Sequence, residues 1–115
     1  MSADDYLIEW RGPRAVVRMP AEIDLTNADQ ARAALLAAAG QRPAVLIIDM
    51  SETTFCDSAG VQAIVIGYRQ AAGTGTQFRL VTTEVERILH LAGLGELMPI
   101  DRSLDAALAA TAADR

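Results

Sequence analysis

The sequence predicts a single α/β domain with a mixed, mainly parallel sheet. The chain has 115 residues, which is room for one compact domain. Its composition is globular, with 51% hydrophobic and 22% charged residues, well away from the composition of disordered chains. After an initial hairpin, strand-like and helix-like segments alternate, which is typical of parallel strands joined by right-handed crossovers. We expect one domain over residues 1–115, with its core at about 5–110 and short disordered ends.

The first two strands are predicted on either side of a short turn. Residues 6–10 (YLIEW) and 15–19 (AVVRM) are rich in strand-forming residues. Gly12 and Pro13 lie between them and favour a turn. Pro20 is expected to end the second strand, because it has no N–H for a further ladder hydrogen bond. The pattern therefore predicts an N-terminal hairpin, which adds one antiparallel pair to the sheet.

A helix and a central strand are predicted next. The helix is expected to begin at Thr26, because Asp29 three residues later approximates a capping box. Small and apolar residues then recur at helical spacing up to Gly40: Ala28, Ala31, Leu35 and Ala38. Residues 44–50 (AVLIIDM) form the most hydrophobic run in the chain and show no alternation. That pattern is typical of a strand covered on both faces.

The second half of the chain predicts further strand–helix units. Apolar residues at helical spacing predict a helix with one buried face: Val61, Ile64, Val65, Tyr68 and Ala72. Residues 77–81 are expected to form a strand, 84–92 a short helix and 98–100 a short edge strand. Ser103 is expected to cap a final helix. The predicted order is ββαβαβαβα, with about four helices.

The charge and residue content exclude several classes of function. A net charge of −5 argues against nonspecific binding to nucleic acid or to an anionic membrane. No apolar stretch approaches the ~18 residues of a membrane span, and residues 1–5 lack the pattern of a signal peptide. Cys56 is the only cysteine, so it can form neither an internal disulfide nor a metal site by itself. We expect a cytoplasmic monomer without cofactor or metal.

The loop after the central strand carries the candidate functional residues. In α/β sheets, function gathers at the carboxyl ends of the strands. Residues 49–60 (DMSETTFCDSAG) deliver Ser58 to the start of a helix. Unpaired backbone N–H groups and the helix dipole favour negative charge there, so the domain would tolerate a phosphate on Ser58.

An ordinary helix cap is the alternative interpretation of this loop. Asp57 and Ser58 are both common capping residues, worth about 0.5–2 kcal/mol each. Gly60 removes a side chain near Ser58 and leaves room for an approaching partner, although glycine is also tolerated near helix starts.

Enzymatic interpretations of the loop lack the groups that they need. All ten basic residues are arginine, so a receiver-type phosphoacceptor at Asp49 or Asp57 has no lysine partner. Cys56 lacks the arginine of a cysteine phosphatase loop and is interpreted as a buried structural thiol. Ser58 as a hydrolase nucleophile needs a base, and the single histidine, His90, is interpreted as a surface residue. We therefore expect no catalytic residue and no enzyme activity.

These motifs resemble those of the STAS-domain anti-sigma-factor antagonists. Residues 57–60 (DSAG), after an apolar strand, resemble the phosphorylation loop of that family, and residues 21–24 (AEID) resemble its Gly-Glu-Leu/Ile-Asp segment. Residues 86–89 (ERIL), 92–94 (AGL) and 103–108 (SLDAAL) also fit in order, so the resemblance spans roughly residues 5–110. Two positions depart from the pattern: Ala59 replaces a common Ser or Thr, and Ala21 replaces a Gly.

The resemblance implies a partner-switching regulator of transcription, as in stress responses. The unphosphorylated protein would bind an anti-sigma factor, itself a serine kinase, and release a sigma factor. The kinase would phosphorylate Ser58, and a serine phosphatase would reset the switch. The implied partner-binding residues are Asp24, Asp57, Ser58, Ala59, Gly60 and Gln62. The alternative is a STAS scaffold that is never phosphorylated, within a larger sensory or transporter-associated assembly.

Overall fold

The computed structural model describes residues 6–112, so most of the short ends that were expected to be disordered lie outside the described residues. The described part contains seven strands and five helices. The strands are β1 (Ile8–Arg11), β2 (Arg14–Arg18), β3 (Glu22–Ile23), β4 (Val45–Met50), β5 (Phe55–Cys56), β6 (Gln77–Thr82) and β7 (Ile100–Asp101). The helices are α1 (Ala28–Gly40), α2 (Ser58–Gly73), α3 (Glu86–Leu91), α4 (Leu94–Leu97) and α5 (Leu104–Ala110).

The main sheet is mixed and mainly parallel, as predicted. Its strand order is β1-β2-β4-β6-β7. Only β1 and β2 pair antiparallel, and the other neighbours are parallel. The expected hairpin closes at the pair Arg11–Arg14, and Gly12 adopts a φ of 62° in its turn. Glycine at the first turn position allows the tight two-residue connection that a hairpin favours.

The central strand is covered on both faces, which confirms the prediction from its apolar run. All six residues of β4 are buried. On one face, Leu46 and Ile48 belong to the main core, which includes residues of α1 and α2. On the other face, Ile47 lies in a smaller cluster with Val16 and with Ala107 of α5. The five-stranded main sheet therefore has helices on both faces, in two layers of unequal size.

The predicted start of the first helix is wrong by two residues. Helix α1 begins at Ala28, with Asn27 at the cap position and without a side-chain cap hydrogen bond. The hydroxyl of Thr26 donates to Asp24 Oδ1 instead of serving a capping box with Asp29. Asp24 accepts both the backbone N–H and the hydroxyl of Thr26, and this local turn competes with a helical start.

The buried face of α2 is formed mainly by small residues and differs in part from the prediction. Ile64 is buried as expected, but Ala72 is exposed, and the predicted residues Val61, Val65 and Tyr68 are only partly buried. The buried members of the helix are Gly60, Ala63, Ile64, Gly67 and Ala71. A Cβ at Gly67 would lie 2.9 Å from Leu35 Cβ of α1. The two helices therefore approach closely through small residues, which the apolar periodicity did not reveal.

Three short elements were not predicted: β3, β5 and α4. Helix α3 begins at Glu86 and ends before Gly93, whose φ of 88° separates it from α4. The final helix is as expected, with Ser103 Oγ accepting from the Ala106 N–H at 3.0 Å. The edge strand β7 is also present, pairing parallel with β6.

Candidate functional site

The site begins with the small parallel pair β3–β5. Ile23 pairs with Cys56, and the Asp57 N–H donates to the Ile23 carbonyl at 3.1 Å. Asp24 and Asp57 each follow the last paired residue of their strand. Because neighbouring strands lie about 4.8 Å apart, the two aspartates stand next to each other where both strands end. The chain thus brings together two of the residues that the sequence singled out.

Asp57 is the cap of α2. Its backbone is extended, and its Oδ1 accepts the N–H groups of Ala59 at 2.9 Å and of Gly60 at 3.2 Å. This arrangement satisfies two of the N–H groups that a helix start leaves unpaired. The capping interpretation is therefore correct for Asp57.

Ser58 is the first residue of α2 and is exposed. Its hydroxyl makes no hydrogen bond with any residue from 6 to 112. Since Asp57 already caps the helix, the Ser58 hydroxyl contributes nothing to holding the loop. It is a solvent-facing nucleophilic oxygen at the positive end of a 16-residue helix.

Asp24 is held as a carboxylate by its own turn. Hydrogen bonds from the Thr26 hydroxyl and then from the Thr26 N–H, at 2.9 Å, lower the pKa of Asp24 below its ordinary value of 3.8. The backbone of Asp24 is also tied down, because its N–H donates to Asn27 Oδ1 at 2.9 Å. The residue therefore presents a fixed negative charge beside Asp57 at neutral pH.

Cys56 and Gly60 pack behind this surface. Cys56 is 2% exposed, and burial, followed by the nearby charge of Asp57, raises the pKa of its thiol from 9.0 to about 11. The interpretation as a buried thiol is confirmed. A Cβ at Gly60 would lie 2.7 Å from Cys56 Sγ and 2.8 Å from Ile23 Cγ2. The missing side chain of Gly60 would therefore point into the core. The expectation that Gly60 makes room for a partner beside Ser58 is wrong.

A shallow groove lies beside the loop, between the N-terminal parts of α1 and α2. Ala59 and Gln62 line its α2 side. Two large apolar side chains at the groove are exposed: Leu25 at 82% and Ile66 at 38%. The remaining lining residues are Ala28, Asp29, Arg32 and Ala63. Exposed apolar side chains with charged neighbours are typical of a surface that another protein covers.

The sequence did not single out Leu25, Thr26 in its observed role, or Ile66. The pattern Asp-x-Thr at residues 24–26 is a signal for the local turn, because a carboxylate readily accepts from the backbone two residues on. Ile66 lies four residues after Gln62, and this spacing places it on the same helix face. Nothing in the sequence marks that face as exposed, since exposure depends on what packs against it.

Two other features of the described chain, a cavity and the single histidine, lie outside this site. A larger cavity of about 640 Å³ lies at the carboxyl end of β2, away from the lining of the groove. His90 is exposed on α3, with Nε2 3.5 Å from Glu86 Oε2, which confirms the surface interpretation.

Within residues 6–112, no group of three or more His, Cys, Asp or Glu side chains is placed to hold a metal ion. No helix in that range is both long and apolar enough to cross a membrane.

The mixed sheet and the helix-capped loop are those of a STAS domain. The family model described as "STAS domain" matches residues 8–107, and the chain belongs to this family.

Solved structures of known proteins share the whole fold. An anti-sigma factor antagonist from Mycobacterium paratuberculosis is 30% identical, with a TM-score of 0.84 and coverage of 96% of this chain and 97% of that chain. SpoIIAA, an anti-sigma factor antagonist, is 21% identical in its unphosphorylated form, with a TM-score of 0.74 and coverage of 96% and 99%. The phosphorylated form of SpoIIAA from Bacillus is 22% identical, with a TM-score of 0.66 and coverage of 89% and 96%.

The fold also occurs inside a much larger protein. The murine Solute Carrier 26 family member A9 anion transporter is 20% identical, with a TM-score of 0.74. The match covers 92% of this chain but only 19% of that one. Comparison with curated proteins finds no match to this sequence.

Proposed function

We propose that this chain is an anti-sigma-factor antagonist that works by partner switching. Its unphosphorylated form binds an anti-sigma factor, itself a serine kinase, and so releases a sigma factor. That kinase phosphorylates Ser58 and ends the interaction, and a serine phosphatase restores it. The observation that carries the proposal is the exposed Ser58 hydroxyl at a helix start that Asp57 already caps. The 30% identity to the mycobacterial antagonist supports the class.

The fold tolerates a phosphate on Ser58. A phosphoserine carries about −1.5 to −2 charges at neutral pH. The start of α2 offsets part of the resulting repulsion, by ~0.3–1 kcal/mol for a charge near the terminus. No hydrogen bond with residues 6–112 has to be broken, because the hydroxyl makes none. We therefore expect the phosphorylated domain to keep its backbone, including the first turns of α2.

The same phosphate opposes binding once a partner covers the site. Asp57 directly precedes Ser58, and the β3–β5 pairing brings Asp24 to the same strand end, so the added charge joins two existing carboxylates. At a desolvated interface, like-charge juxtaposition can cost several kcal/mol. A loss of ~3 kcal/mol weakens binding on the order of a hundredfold. The switch is thus a change of affinity rather than a change of fold.

The proposed binding surface combines the charged residues around Ser58, Asp24 and Asp57, with the groove between α1 and α2. Leu25 and Ile66 provide exposed apolar area, which supplies binding free energy when a partner covers it. Gly60 does not form part of this surface but supports it, because the absence of a side chain lets the start of α2 pack on Cys56 and Ile23. The surface residues are Asp24, Leu25, Asp57, Ser58, Ala59, Gln62 and Ile66.

The proposal is tested by titrating the anti-sigma factor with the unmodified and the Ser58-phosphorylated protein. We expect about a hundredfold weaker binding of the phosphorylated form. Ser58→Ala should bind normally and accept no phosphate from the kinase, whereas Ser58→Asp should bind more weakly. Phosphate on Ser58→Ala, or equal binding by both forms, would contradict the proposal.

Ser51 offers a matched control for these variants. It is exposed in the same loop. Among residues 6–112, only its backbone N–H makes a hydrogen bond, donating to Asp49 Oδ1 at 3.0 Å. Ser51→Ala should leave phosphorylation intact, and Ser51→Asp should weaken binding much less than Ser58→Asp. Equal effects at both positions would point to the overall charge of the loop rather than to the helix start.

A second candidate is a STAS scaffold that is never phosphorylated. The match to one fifth of a murine anion transporter favours it, because the same fold there is a part of a larger protein. The mass of the protein recovered from stressed and unstressed cells separates the two functions. A phosphorylated fraction on Ser58 that changes with stress supports the switch, and an unmodified mass under every condition supports the scaffold.

A further inference from the structure

Strand β1 forms an open lateral edge of the main sheet. It pairs only with β2, and no described strand covers its other side. Edge strands are commonly protected by a proline, a bulge, a very short length or charged side chains. Over Ile8–Arg11, the register with β2 is continuous and the strand contains no proline, but it is only four residues long and carries Glu9 and Arg11. The edge can therefore pair with another strand whose side chains complement these two charges.

The outward backbone groups of this edge belong to Ile8 and Trp10. In a two-residue hairpin, the closing pair exchanges both backbone hydrogen bonds, and the hydrogen-bonded pairs then alternate along the ladder. Arg11–Arg14 is the closing pair, so Glu9 also points its backbone groups toward β2. The N–H and C=O of Trp10 face away from β2 and are available to a new strand.

The side chains of this edge complement a second copy of the same strand. Opposite charges flank the only tryptophan of the chain: Glu9 precedes Trp10 and Arg11 follows it. In an antiparallel pair centred on Trp10, Glu9 of one copy stands opposite Arg11 of the other, and the reverse pair forms by symmetry. The two side chains already lie 2.8 Å apart within one copy and are 49% and 43% exposed. Trp10 itself is 43% exposed and would meet its own counterpart.

We propose that two copies of this chain pair through β1, antiparallel and centred on Trp10, to form one continuous ten-stranded sheet. We assign a second copy of the chain to this edge because, when two β1 strands pair antiparallel, each Glu9 lies opposite an Arg11. Each copy contributes a strand of only four residues, so the interface is smaller than the ~1,200 Å² of stable complexes. We therefore expect a weak dimer whose population depends on concentration. This inference is independent of the proposed function and replaces the monomer that was expected from the sequence.

A charge exchange tests the pairing and its register. The weight-average mass in sedimentation equilibrium should rise with concentration toward twice that of one chain. Glu9→Arg alone, or Arg11→Glu alone, creates two like-charged pairs per dimer and should raise the dimer dissociation constant about tenfold. The double variant restores both pairs and should restore the dimer. A wild-type protein that stays monomeric up to millimolar concentration overturns the proposal.

Three controls make the result specific to β1. Glu84→Arg changes the charge equally at an exposed residue outside the strand and should leave the dimer unchanged. Thermal unfolding should show that the variants remain folded. Because Trp10 is the only tryptophan, its emission should move to shorter wavelength as the wild-type concentration rises, and much less in Glu9→Arg. A dimer that persists unchanged in both single variants, or that the double variant fails to restore, overturns the proposed register.

Discussion

Replacing Gly60 with alanine tests how the start of α2 is packed. Alanine has a higher helix propensity than glycine, by about 1 kcal/mol. The added Cβ would lie 2.7 Å from Cys56 Sγ and 2.8 Å from Ile23 Cγ2. Both neighbours are buried, at 2% and 1% exposure, and neither contact is with the far end of a long side chain. Overpacking of this kind costs about 1–3 kcal/mol. After the gain of about 1 kcal/mol in helix propensity, we expect a net loss of up to about 2 kcal/mol in the free energy of unfolding.

Urea unfolding followed by circular dichroism measures this loss, and Gly73 supplies the control. Gly73 ends the same helix, and a Cβ there would have no heavy atom within 4 Å. Gly73→Ala should therefore be neutral or slightly stabilising. In a Cys56→Ala background, the cost of Gly60→Ala should fall, because the nearest clashing atom is gone. If Gly60→Ala is as stable as Gly73→Ala, or if its cost is the same in both backgrounds, the steric reasoning is refuted.

The remaining predictions concern the same loop. Asp57→Ala should lower the free energy of unfolding by about 0.5–2 kcal/mol through loss of the cap, while Ser58→Ala should be nearly neutral, as urea unfolding will show. The buried thiol of Cys56, with a pKa of about 11, should react slowly with iodoacetamide at pH 8 in the native protein and quickly in urea. Thr26→Ala should raise the pKa of Asp24 toward 3.8 in an NMR titration, because the hydrogen bonds that lower it are weakened. The lowered pKa stabilises the fold above the unfolded value of 3.8, so this contribution should vanish as the pH falls through the folded-state pKa.

The elements that the sequence predicted correctly are those with strong local patterns. The hairpin follows from two strand-like segments around Gly12 and Pro13, and the buried β4 from its unbroken apolar run. Local patterns were misleading at Thr26, where a hydrogen bond to Asp24 competes with the helix cap. They were also misleading at Gly60, because a glycine that makes room in the core looks the same in sequence as one that makes room at the surface.

The sequence by itself determined that a serine hydroxyl stands at a helix start after a buried parallel strand. Capping preferences and apolar runs act over a few residues, so they can be interpreted without knowing the rest of the chain. Only the tertiary structure decided that Asp24 stands beside Asp57, that Gly60 faces the core, and that β1 is left as an open edge. Each of these features depends on which distant segments of the chain pack or pair together. Strands of only two residues, such as β3 and β5, have too little sequence pattern for their pairing to be predicted.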